Sequence, residues 1–407
     1  MIHHILKKIG SLIPEGKFRD NIKSVYIFIK DKLIFYFRIF LYYLFRIFPI
    51  KRNKIFIQNF YGKGYGDNPK YISEEILLRG LNIKLVWAVS SKSPKNFPQK
   101  IKTVPYESVR AIYEEATAKI WIDNCRKHSY ARKRKAQYYI QTWHGSGVFK
   151  KVEKDVEQNL SAYYVKRAKY DSTMINIFLS DSKSSSQLYH SAFWYNGEIL
   201  ECGLPRDDIL INFKSNQNIK NKVKDYYQIT DDIKIILYAP TFRNNENMDI
   251  YNINYELLLN TLRKQMKDKW VILIRLHPNI SEKSEFISYN KSIINASNYD
   301  DIQELMLASD ILITDYSSCM YEFALMNKPV FLYVNDHEQY VNDRGFYFDL
   351  FSMPFPCAVN NDDLLQNILN FDTARYLNSL AAFWEKLGII KNGDAAKRVV
   401  DRIVAEI

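Results

Sequence analysis

The stretch DILITDYSSCMYEFALMNKPVFLYV (Asp310–Val334) decides the fold class. It begins with a short apolar run, Ile311–Thr314, and ends with a second one, Pro329–Val334, and a helical segment, Cys319–Met326, lies between them. Both runs are apolar on both faces, as expected for parallel strands that helices cover on either side. A strand, a helix and a second strand in this order predict one unit of a doubly wound α/β sheet.

The same alternation runs through most of the chain. Further strands are predicted at Lys54–Phe60, Ile83–Val89, Lys119–Asn124, Tyr138–Trp143, Ile177–Ser180, Glu198–Cys202, Ile233–Ala239 and Trp270–Leu276, and amphipathic helices at Asn254–Met266 and Asp300–Ala308. The polar segment Asn212–Lys224 separates two series of strands and is predicted to be a linker. The fold class is therefore α/β, with two doubly wound, Rossmann-like domains at residues 55–212 and 225–407, the second ending in a helix over Thr373–Glu406. Ligands of such sheets bind at the carboxyl ends of the strands, so we expect the site in a cleft between the domains.

Residues 1–54 form a separate segment by charge and composition. They contain twelve Lys or Arg residues and three acidic ones, and so hold nine of the twelve net positive charges of the chain. Residues 25–50 are apolar and aromatic, but charges interrupt them before any run reaches the roughly 18–20 residues that a spanning helix needs. Such a segment is typical of a helix that lies on an anionic membrane surface; the alternative is a helix packed on the domain core. A nucleic-acid-binding protein would more often spread its basic residues over the folded domains, so no nucleic acid partner is expected.

The cysteines and the first residues indicate a cellular compartment. The four cysteines, Cys125, Cys202, Cys319 and Cys357, lie far apart and form no C-x-x-C pair. We therefore predict neither a disulfide framework nor a zinc site, and a reducing cytoplasm fits best. The start of the chain, Met1–Lys8, lacks a clean apolar run followed by small residues, so no signal peptide is predicted.

A histidine follows one of the predicted strands of the first domain. The strand Tyr138–Trp143 leads into H-G-S-G (His144–Gly147), and Lys150 and Lys151 come shortly afterwards. A histidine on a glycine-flanked turn can approach a substrate closely, and its pKa near neutrality suits a general base. The alternative is that His144 only caps the strand.

Two strand ends of the second domain carry basic residues. Ile233–Ala239 leads to Arg243, whose guanidinium is suited to clamp a phosphate with two hydrogen bonds. Trp270–Leu276 contains Arg275 and leads to His277. A second histidine at a second strand end makes a chance arrangement less plausible.

The segment T-D-Y-S-S (Thr314–Ser318) follows a third strand of the second domain and precedes a helix. Free backbone N–H groups and serine hydroxyls at such a position favour an anion such as a pyrophosphate. The alternative is ordinary capping of the helix by serine, which is common.

Several familiar sites are missing from the sequence. It contains no G-x-x-x-x-G-K-[ST] loop, which argues against a P-loop NTPase, and neither D-x-D nor H-E-x-x-H. No metal or other cofactor is therefore predicted, because Lys, Arg, His and helix N-termini can neutralise phosphate charge instead.

Six segments together resemble the CDP-glycerol glycerophosphotransferase family of teichoic acid synthesis. They are F-Y-G-K-G-Y-G-D-N-P-K (Phe60–Lys70), Q-T-W-H-G-S-G-V-F-K-K (Gln141–Lys151), C-G-L-P-R-D-D (Cys202–Asp208), Y-A-P-T-F-R (Tyr238–Arg243), I-R-L-H-P (Ile274–Pro278) and I-T-D-Y-S-S-C-M-Y-E-F-A (Ile313–Ala324) with K-P-V (Lys328–Val330). Each motif is short, but the ordered set spans roughly residues 55–345 and is specific.

This resemblance implies a GT-B-like fold, with the donor in the C-terminal domain and the acceptor at the N-terminal one. It implies that an acceptor hydroxyl attacks the glycerol-bearing phosphorus of CDP-glycerol or a related CDP-polyol, and that CMP leaves. It also implies a peripheral protein at the cytoplasmic face of the bacterial cell membrane, acting on a lipid-linked saccharide or polyol-phosphate acceptor. Glycerol and ribitol remain open as the polyol.

The resemblance also assigns roles to individual residues. His144 matches the family's candidate base, and His277 matches the second histidine near the donor phosphates. The donor-phosphate region corresponds to Arg243, Thr314, Ser317 and Ser318; supporting candidates are Asp315, Glu322 and Arg275; and acceptor-side candidates are Gly145, Lys150, Lys151, Asn68 and Lys70. Two departures are visible: the first motif reads H-G-S-G-V-F-K-K where many members have H-G-T-P-L-K-K, and Glu322 stands where the family often has Asp.

Two other functions remain open. A GT-B glycosyltransferase that uses a nucleotide sugar for capsule synthesis would place its substrates in the same cleft. A membrane-associated subunit without catalytic activity is the second alternative, although it would have no reason to keep two histidines at strand ends.

Overall fold

The computed structural model describes residues 17–91, 96–243, 251, 253–276, 280 and 286–407. Within these ranges the chain forms two parallel sheets. The first consists of β1 Lys51–Gln58, β2 Lys84–Val89, β3 Lys102–Pro105, β4 Ala118–Asp123, β5 Tyr138–Gln141, β6 Ile177–Ser180 and β7 Glu198–Glu201. The second consists of β8 Ile233–Tyr238, β9 Lys269–Ile274, β10 Ile293–Asn295, β11 Ile311–Thr314, β12 Val330–Tyr333 and β13 Cys357–Ala358.

Both sheets have the strand order of a doubly wound fold. The first runs β3-β2-β1-β4-β5-β6-β7 and the second β10-β9-β8-β11-β12-β13. The strand order therefore reverses between β1 and β4 in one sheet and between β8 and β11 in the other. Ligands of such sheets bind beyond the carboxyl ends of the strands at these switch points.

Helices cover both faces of the sheets, and an apolar core lies on each face. They are α1 Lys17–Leu44, α2 Asp67–Leu78, α3 Val109–Ala116, α4 Ala162–Met174, α5 Lys183–Ala192, α6 Asp208–Asn212, α7 Gln217–Tyr227, α8 Tyr255–Met266, α9 Ile302–Ala308, α10 Cys319–Ala324, α11 His337–Arg344, α12 Asn361–Leu369, α13 Thr373–Leu387 and α14 Ala395–Glu406. Such two-sided cover explains why the central strands are continuous apolar runs.

The structure confirms all ten predicted strands, with ends that move by up to three residues. It adds three strands that the sequence did not reveal, namely β3, β10 and β13, and each lies at the edge of its sheet. Edge strands are short and are covered less completely, so their sequences lack the long apolar run that identifies a central strand.

The predicted linker and the predicted terminal helix differ from the structure. Part of the linker segment forms α7, whose Val223 is buried in a core of the second sheet. The terminal segment is broken at Gly388, which ends α13 in the left-handed conformation. Its last part, α14, packs Val399 and Val400 into the core of the first sheet. An amphipathic pattern reveals a buried face but not the sheet that covers it, and the sequence therefore predicts α14 as part of the second domain, whereas the structure packs it on the first sheet.

The long helix α1 contacts the first domain only near its C-terminal end. There Arg38 makes two hydrogen bonds to Glu107, of 3.0 and 3.1 Å, and Tyr42 is buried and bonded to Glu115. Residues 20–34, by contrast, are all exposed. None of the described helices combines the length and the apolar character that crossing a membrane requires.

Candidate functional site

The switch points of the two sheets face each other, and their loops bring the turn that contains His144 and Gly145 next to Ser318. The His144 turn follows β5, and Ser318 precedes α10 after β11. A methyl group placed on Gly145 would lie 4.0 Å from Ser318 Oγ. The structure thus brings together two segments that are more than 170 residues apart and that the sequence had singled out separately.

His144 is held in one orientation by its neighbours. Its Nδ1 lies 2.5 Å from the Asn124 carbonyl oxygen, and its ring stacks on Trp143 at a centroid distance of 4.4 Å. A carbonyl oxygen can only accept, so Nδ1 carries the proton and Nε2 is left as the basic nitrogen. Burial lowers the pKa of His144 from its usual value, although the Asn124 hydrogen bond acts in the opposite direction. The ring is therefore arranged to accept a proton at Nε2.

Asn68 lies beneath the His144 turn. The residue is fully buried, its Nδ2 donates to the Trp143 carbonyl at 3.2 Å, and its Oδ1 accepts from the Arg206 backbone N–H at 3.1 Å. Because both ends of the amide are used in this way, the geometry makes Asn68 a positioning residue rather than an open acceptor contact.

Arg206 is the centre of a buried ionic cluster behind the turn. It donates to the His144 carbonyl at 3.0 Å and to Ser146 Oγ at 3.2 Å. It also forms ion pairs with Asp67, at 2.6 Å, and with Glu322, at 2.7 Å. Burial works against the charge of Arg206, but these carboxylates outweigh it and raise its pKa.

Gly147 allows the turn to approach the second domain closely. Its φ is +62°, and a Cβ at this position would lie 2.8 Å from the ring of Tyr321 on α10. The Tyr321 hydroxyl donates to the Val148 carbonyl at 3.1 Å, and the Gly147 N–H donates to Asp181 at 2.6 Å. A glycine is therefore required here both by the backbone conformation and by the neighbouring ring.

The three lysines predicted on the acceptor side have different surroundings. Lys70 is buried and forms an ion pair with Asp301 of the second domain at 2.5 Å. Lys150 bridges to Phe346 through its backbone. Lys151 is partly engaged through its backbone N–H, which donates to the Gly345 carbonyl at 3.2 Å, while its side chain is exposed. Of the three, Lys151 has the most accessible side chain.

Arg243 uses all five of its N–H groups within the protein. Nε and Nη2 donate to Asp336 at 2.7 and 3.2 Å, Nη2 also donates to Asp315 at 2.9 Å, and Nη1 donates to the carbonyl and hydroxyl oxygens of Thr241. The guanidinium lies over the rings of Tyr316 and Tyr340. This arrangement differs from the predicted phosphate clamp, because a phosphate would have to displace one of these partners.

The Thr314–Ser318 segment divides into a buried and an accessible part. Thr314 is buried and donates to the Ala239 carbonyl at 2.7 Å, and Asp315 accepts the Thr241 N–H at 2.9 Å. Ser317 and Ser318 are partly exposed, and the Ser318 side chain does not cap α10. The serine hydroxyls are therefore the groups of this segment that can reach a ligand.

Arg275 has no carboxylate within 4.0 Å in the described part of the chain. Its Nη1 donates to the Tyr299 carbonyl at 2.5 Å, at the carboxyl end of β9. Burial lowers the pKa of this guanidinium. His277, the second predicted histidine, lies outside the described residues.

Within the same described ranges, no group of three or more His, Cys, Asp or Glu side chains is arranged to hold a metal ion. The four cysteines are all free. That the site works without a metal or cofactor stays a prediction.

Two contributors to the site were missed in the sequence. Asn124 acts through its carbonyl oxygen, which no side-chain pattern can reveal. Arg206 lies in the C-G-L-P-R-D-D segment, which resembles the family but to which the resemblance assigns no role. An arginine followed directly by two acids, Asp207 and Asp208, in a mostly apolar surrounding was the available signal for a buried ionic cluster.

Comparison with known proteins finds relatives that are described as teichoic acid polymerases. The teichoic acid poly(glycerol phosphate) polymerase of Staphylococcus epidermidis is 31% identical over 370 residues, which cover 88% of this chain and 51% of that protein. The polymerase of the same description from Bacillus spizizenii is 29% identical over 370 residues, which cover 88% of this chain and 93% of that protein. The chain thus spans about half of one relative and nearly all of the other.

A solved structure and a family model extend the comparison to the fold. The wall teichoic acid polymerase TagF superposes with a TM-score of 0.80 at 28% identity, covering 97% of this chain and 98% of that chain. This likeness confirms the expected GT-B-like α/β fold. A family model described as CDP-glycerol:poly(glycerophosphate) glycerophosphotransferase matches residues 40–405. With nine-tenths of its length matched in this way, the chain belongs to the CDP-glycerol:poly(glycerophosphate) glycerophosphotransferase family.

Proposed function

We propose that this chain transfers glycerol phosphate from CDP-glycerol to a hydroxyl group of an acceptor, with release of CMP, during synthesis of teichoic acid or a related cell-surface polymer. Family membership supports this reaction. So do the likeness to a teichoic acid glycerol-phosphate transferase of Staphylococcus aureus, at 30% identity, and the likeness to a TagF variant soaked with CDPG.

The fixed orientation of His144, in a turn whose Gly145 lies next to Ser318, is the observation that carries the mechanism. Nδ1 is fixed by the Asn124 carbonyl, so Nε2 is the nitrogen that takes the proton from the acceptor hydroxyl. The hydroxyl oxygen then attacks the glycerol-bearing phosphorus in line, the bond from that phosphorus to the CMP oxygen breaks, and CMP leaves. Holding both reactants across the cleft supplies much of the rate enhancement in such a reaction.

Charge on the donor phosphates is stabilised from the second domain. Ser317 and Ser318 offer hydroxyl groups, and Arg275 offers a guanidinium that no described carboxylate neutralises. His277 is the predicted fourth partner. Arg243 supports the site by holding Asp315 and the loop after β8 in place rather than by binding phosphate directly. Hydrogen bonds from fixed donors stabilise developing charge because they need no reorganisation during the reaction.

The acceptor is proposed to be attached to a lipid at the cytoplasmic face of the membrane. The exposed part of α1 supports this location, because it presents apolar side chains such as Val25, Phe28 and Leu33 together with Lys30 and Lys32. Apolar groups enter the interface of a bilayer, and lysines meet anionic headgroups. An anionic membrane surface is therefore the proposed binding partner of the exposed part of α1.

Nucleotide release from a panel of donors tests the reaction. The purified protein is incubated with CDP-glycerol, CDP-ribitol or nucleotide sugars, each with and without a short acceptor. We expect CMP only from CDP-glycerol and only with acceptor. Release from a nucleotide sugar alone would make the chain a glycosyltransferase. Release from CDP-ribitol would favour the second candidate, a ribitol phosphate transferase, since a poly(ribitol-phosphate) polymerase of Bacillus spizizenii is 28% identical.

Flotation with lipid vesicles tests the membrane proposal. We expect the protein to bind vesicles that contain anionic lipid and to lose most of this binding when Phe28 and Leu33 are both replaced by Glu. The matched control is Leu78→Glu, which changes an apolar side chain that is 82% exposed on α2 of the first domain. Equal binding of all three proteins would contradict the proposal.

A further inference from the structure

The arginines near the first switch point differ in whether carboxylates neutralise them. Two are paired with buried carboxylates: Arg126 with Glu153 and Asp171, and Arg206 with Asp67, Glu322 and, at 3.9 Å, Asp207. Arg167, on α4, has no carboxylate within 4.0 Å among the described residues, and its side chain is partly buried. A guanidinium always carries its charge in proteins, so this one is left without a counterion of its own.

Arg167 is tied to the same loop that orients the proposed base. Its Nε donates a hydrogen bond to the Lys127 carbonyl at 2.8 Å, and its Nη2 donates one to the Arg126 carbonyl. The same loop, three residues earlier, contains the Asn124 carbonyl that holds His144. These bonds use two of the five N–H groups of Arg167, and the Tyr61 hydroxyl is a further hydrogen-bond partner of the side chain. Together these contacts fix the direction in which the guanidinium points.

Aromatic side chains connect Arg167 to the His144 ring. The guanidinium lies over the ring of Tyr61 at 5.2 Å, and the neighbouring Phe60 ring lies 5.3 Å from the His144 ring. Phe60 and Tyr61 both have positive φ, +40° and +58°, which is a strained conformation for residues other than glycine. Strain of this kind is maintained where the surrounding structure requires it, and it is concentrated at functional sites.

We propose that Arg167 and Tyr61 bind a phosphodiester of the acceptor, namely the diester next to the hydroxyl that His144 deprotonates. A fixed guanidinium fork matches the two free oxygens of a phosphodiester, and a partly desolvated site strengthens the pairing. Tyr61 contributes a hydroxyl group and an aromatic ring that packs beside the guanidinium. The proposal rests on the proposed function and narrows it, because it selects acceptors that already end in a polyol phosphate over neutral acceptors.

Three soluble acceptors of similar length test this subsite. In the first acceptor, a phosphodiester joins the terminal glycerol to the rest of the molecule. In the second, the terminal glycerol is attached to a neutral sugar without a phosphate. The third is this neutral acceptor with a pyrophosphate group added at the end opposite the glycerol. For Arg167→Gln we expect the KM of the first acceptor to rise about tenfold or more, since a charge-assisted contact is lost. The KM values of the other two acceptors and of CDP-glycerol should stay within about twofold of wild type. Arg167→Lys, which keeps the charge but not the fork, should recover part of the loss.

The matched control is Lys169→Gln on the same helix, because Lys169 is already paired with Glu157 at 3.0 Å. This variant should leave all KM values unchanged. If Arg167→Gln raised the KM of the diester acceptor and the KM of the neutral acceptor equally, the proposal would be overturned and Arg167 would have a merely structural role. A rise in KM that is confined to the pyrophosphate acceptor would also overturn the proposal, because Arg167 would then bind the pyrophosphate of a lipid carrier.

A binding measurement keeps the proposal separate from the proposed function. Titration calorimetry with an oligomer of glycerol phosphate does not depend on turnover. Weaker binding to Arg167→Gln than to Lys169→Gln supports the subsite even if CDP-glycerol proves to be the wrong donor. Equal binding to both variants overturns the subsite whatever the donor is.

Discussion

Arg206 Nη2 lies 2.7 Å from Glu322 Oε1, and this ion pair joins the two halves of the molecule directly behind the His144 turn. Both side chains are at least 95% buried. Arg206 also donates to the His144 carbonyl, so one guanidinium connects the turn of the proposed base to the helix that Ser318 precedes. A buried pair of this kind fixes geometry, because each charge depends on the other for its solvation.

Replacing Glu322 by Gln should destabilise the protein. The substitution leaves Arg206 buried with Asp67 as its one remaining strong partner, and breaking a buried pair from one side costs about 3–5 kcal/mol. We expect this loss in the free energy of unfolding, measured by urea denaturation. Activity should fall as well, because the His144 turn loses its connection to α10.

The exposed ion pair between Arg402 and Glu198 is the control for this prediction. Its N–O distance is 2.5 Å, but the Glu198 side chain is 48% exposed. Glu198→Gln should therefore change the free energy of unfolding by less than about 1 kcal/mol. Similar losses in Glu322→Gln and Glu198→Gln would show that the buried pair does not connect the two halves as proposed.

Substitution of Gly147 by Ala should reveal the close approach between the turn and α10. The added methyl group would lie 2.8 Å from the Tyr321 ring, and overpacking costs about 1–3 kcal/mol in addition to the backbone strain. Gly80→Ala provides a matched control, because Gly80 has nearly the same φ, +63°, and no atom within 4 Å of the new Cβ. We expect a larger loss in melting temperature and in kcat for Gly147→Ala than for Gly80→Ala. Equal losses would mean that φ alone requires glycine at position 147.

The central strands were predictable because their apolar runs reflect burial on both faces, which is a local property. Strands such as β11 and β12 carry this signal completely, and the edge strand β13, with two residues, carries almost none. The placement of α14 was not predictable, since Val399 and Val400 pack equally well against any apolar sheet. Local patterns therefore established the elements, and long-range packing decided their partners.

The candidate site shows the same division. His144, Ser317 and Ser318 were found because strand ends of parallel sheets point toward the ligand. The distance between the His144 turn and the two serines could not be predicted from the sequence, since it depends on how the two domains pack against each other. The use of Arg243 inside the protein was also hidden, because its partner Asp336 is 93 residues away.

Protonation of His128 should destabilise the protein in mild acid. Burial, followed by the nearby charge of Arg167, lowers the pKa of His128 to about 4, against about 6.5 in an unfolded chain. Between these values the unfolded state binds more protons, so stability is complete above pH 6.5 and is lost as the pH falls toward 4. The loss should reach about 3 kcal/mol.

The comparison of two histidine variants isolates this effect. His128→Gln retains a polar group that can form a hydrogen bond with the Tyr106 hydroxyl, which lies 2.5 Å from His128 Nε2, but the new side chain cannot titrate. The free energy of unfolding should therefore depend less on pH between 6.5 and 4 in this variant than in wild type. His190→Gln, at an exposed position, is the control for the replacement of a histidine by glutamine. A slope that His128→Gln leaves unchanged would place the acid sensitivity elsewhere.

Replacement of His144 by Ala should reduce kcat by about 10²–10⁴-fold, the usual contribution of a general base. Binding of CDP-glycerol, measured by calorimetry, should change little, because His144 lies on the acceptor side of the cleft. His190→Ala serves as the control. Turnover close to wild type in His144→Ala, with an unchanged melting temperature, would remove His144 from the mechanism.

The pH profile of the wild-type enzyme tests the same assignment without a mutation. A general base works in its unprotonated form, so activity falls as the pH drops through the pKa of the base. Burial lowers the pKa of His144, and the acid limb of kcat/KM should therefore have its midpoint below pH 6.5. A midpoint above 7 would require a base whose pKa is raised instead of lowered. Such a result would argue against Nε2 of His144 as the proton acceptor, because burial of the ring lowers its pKa.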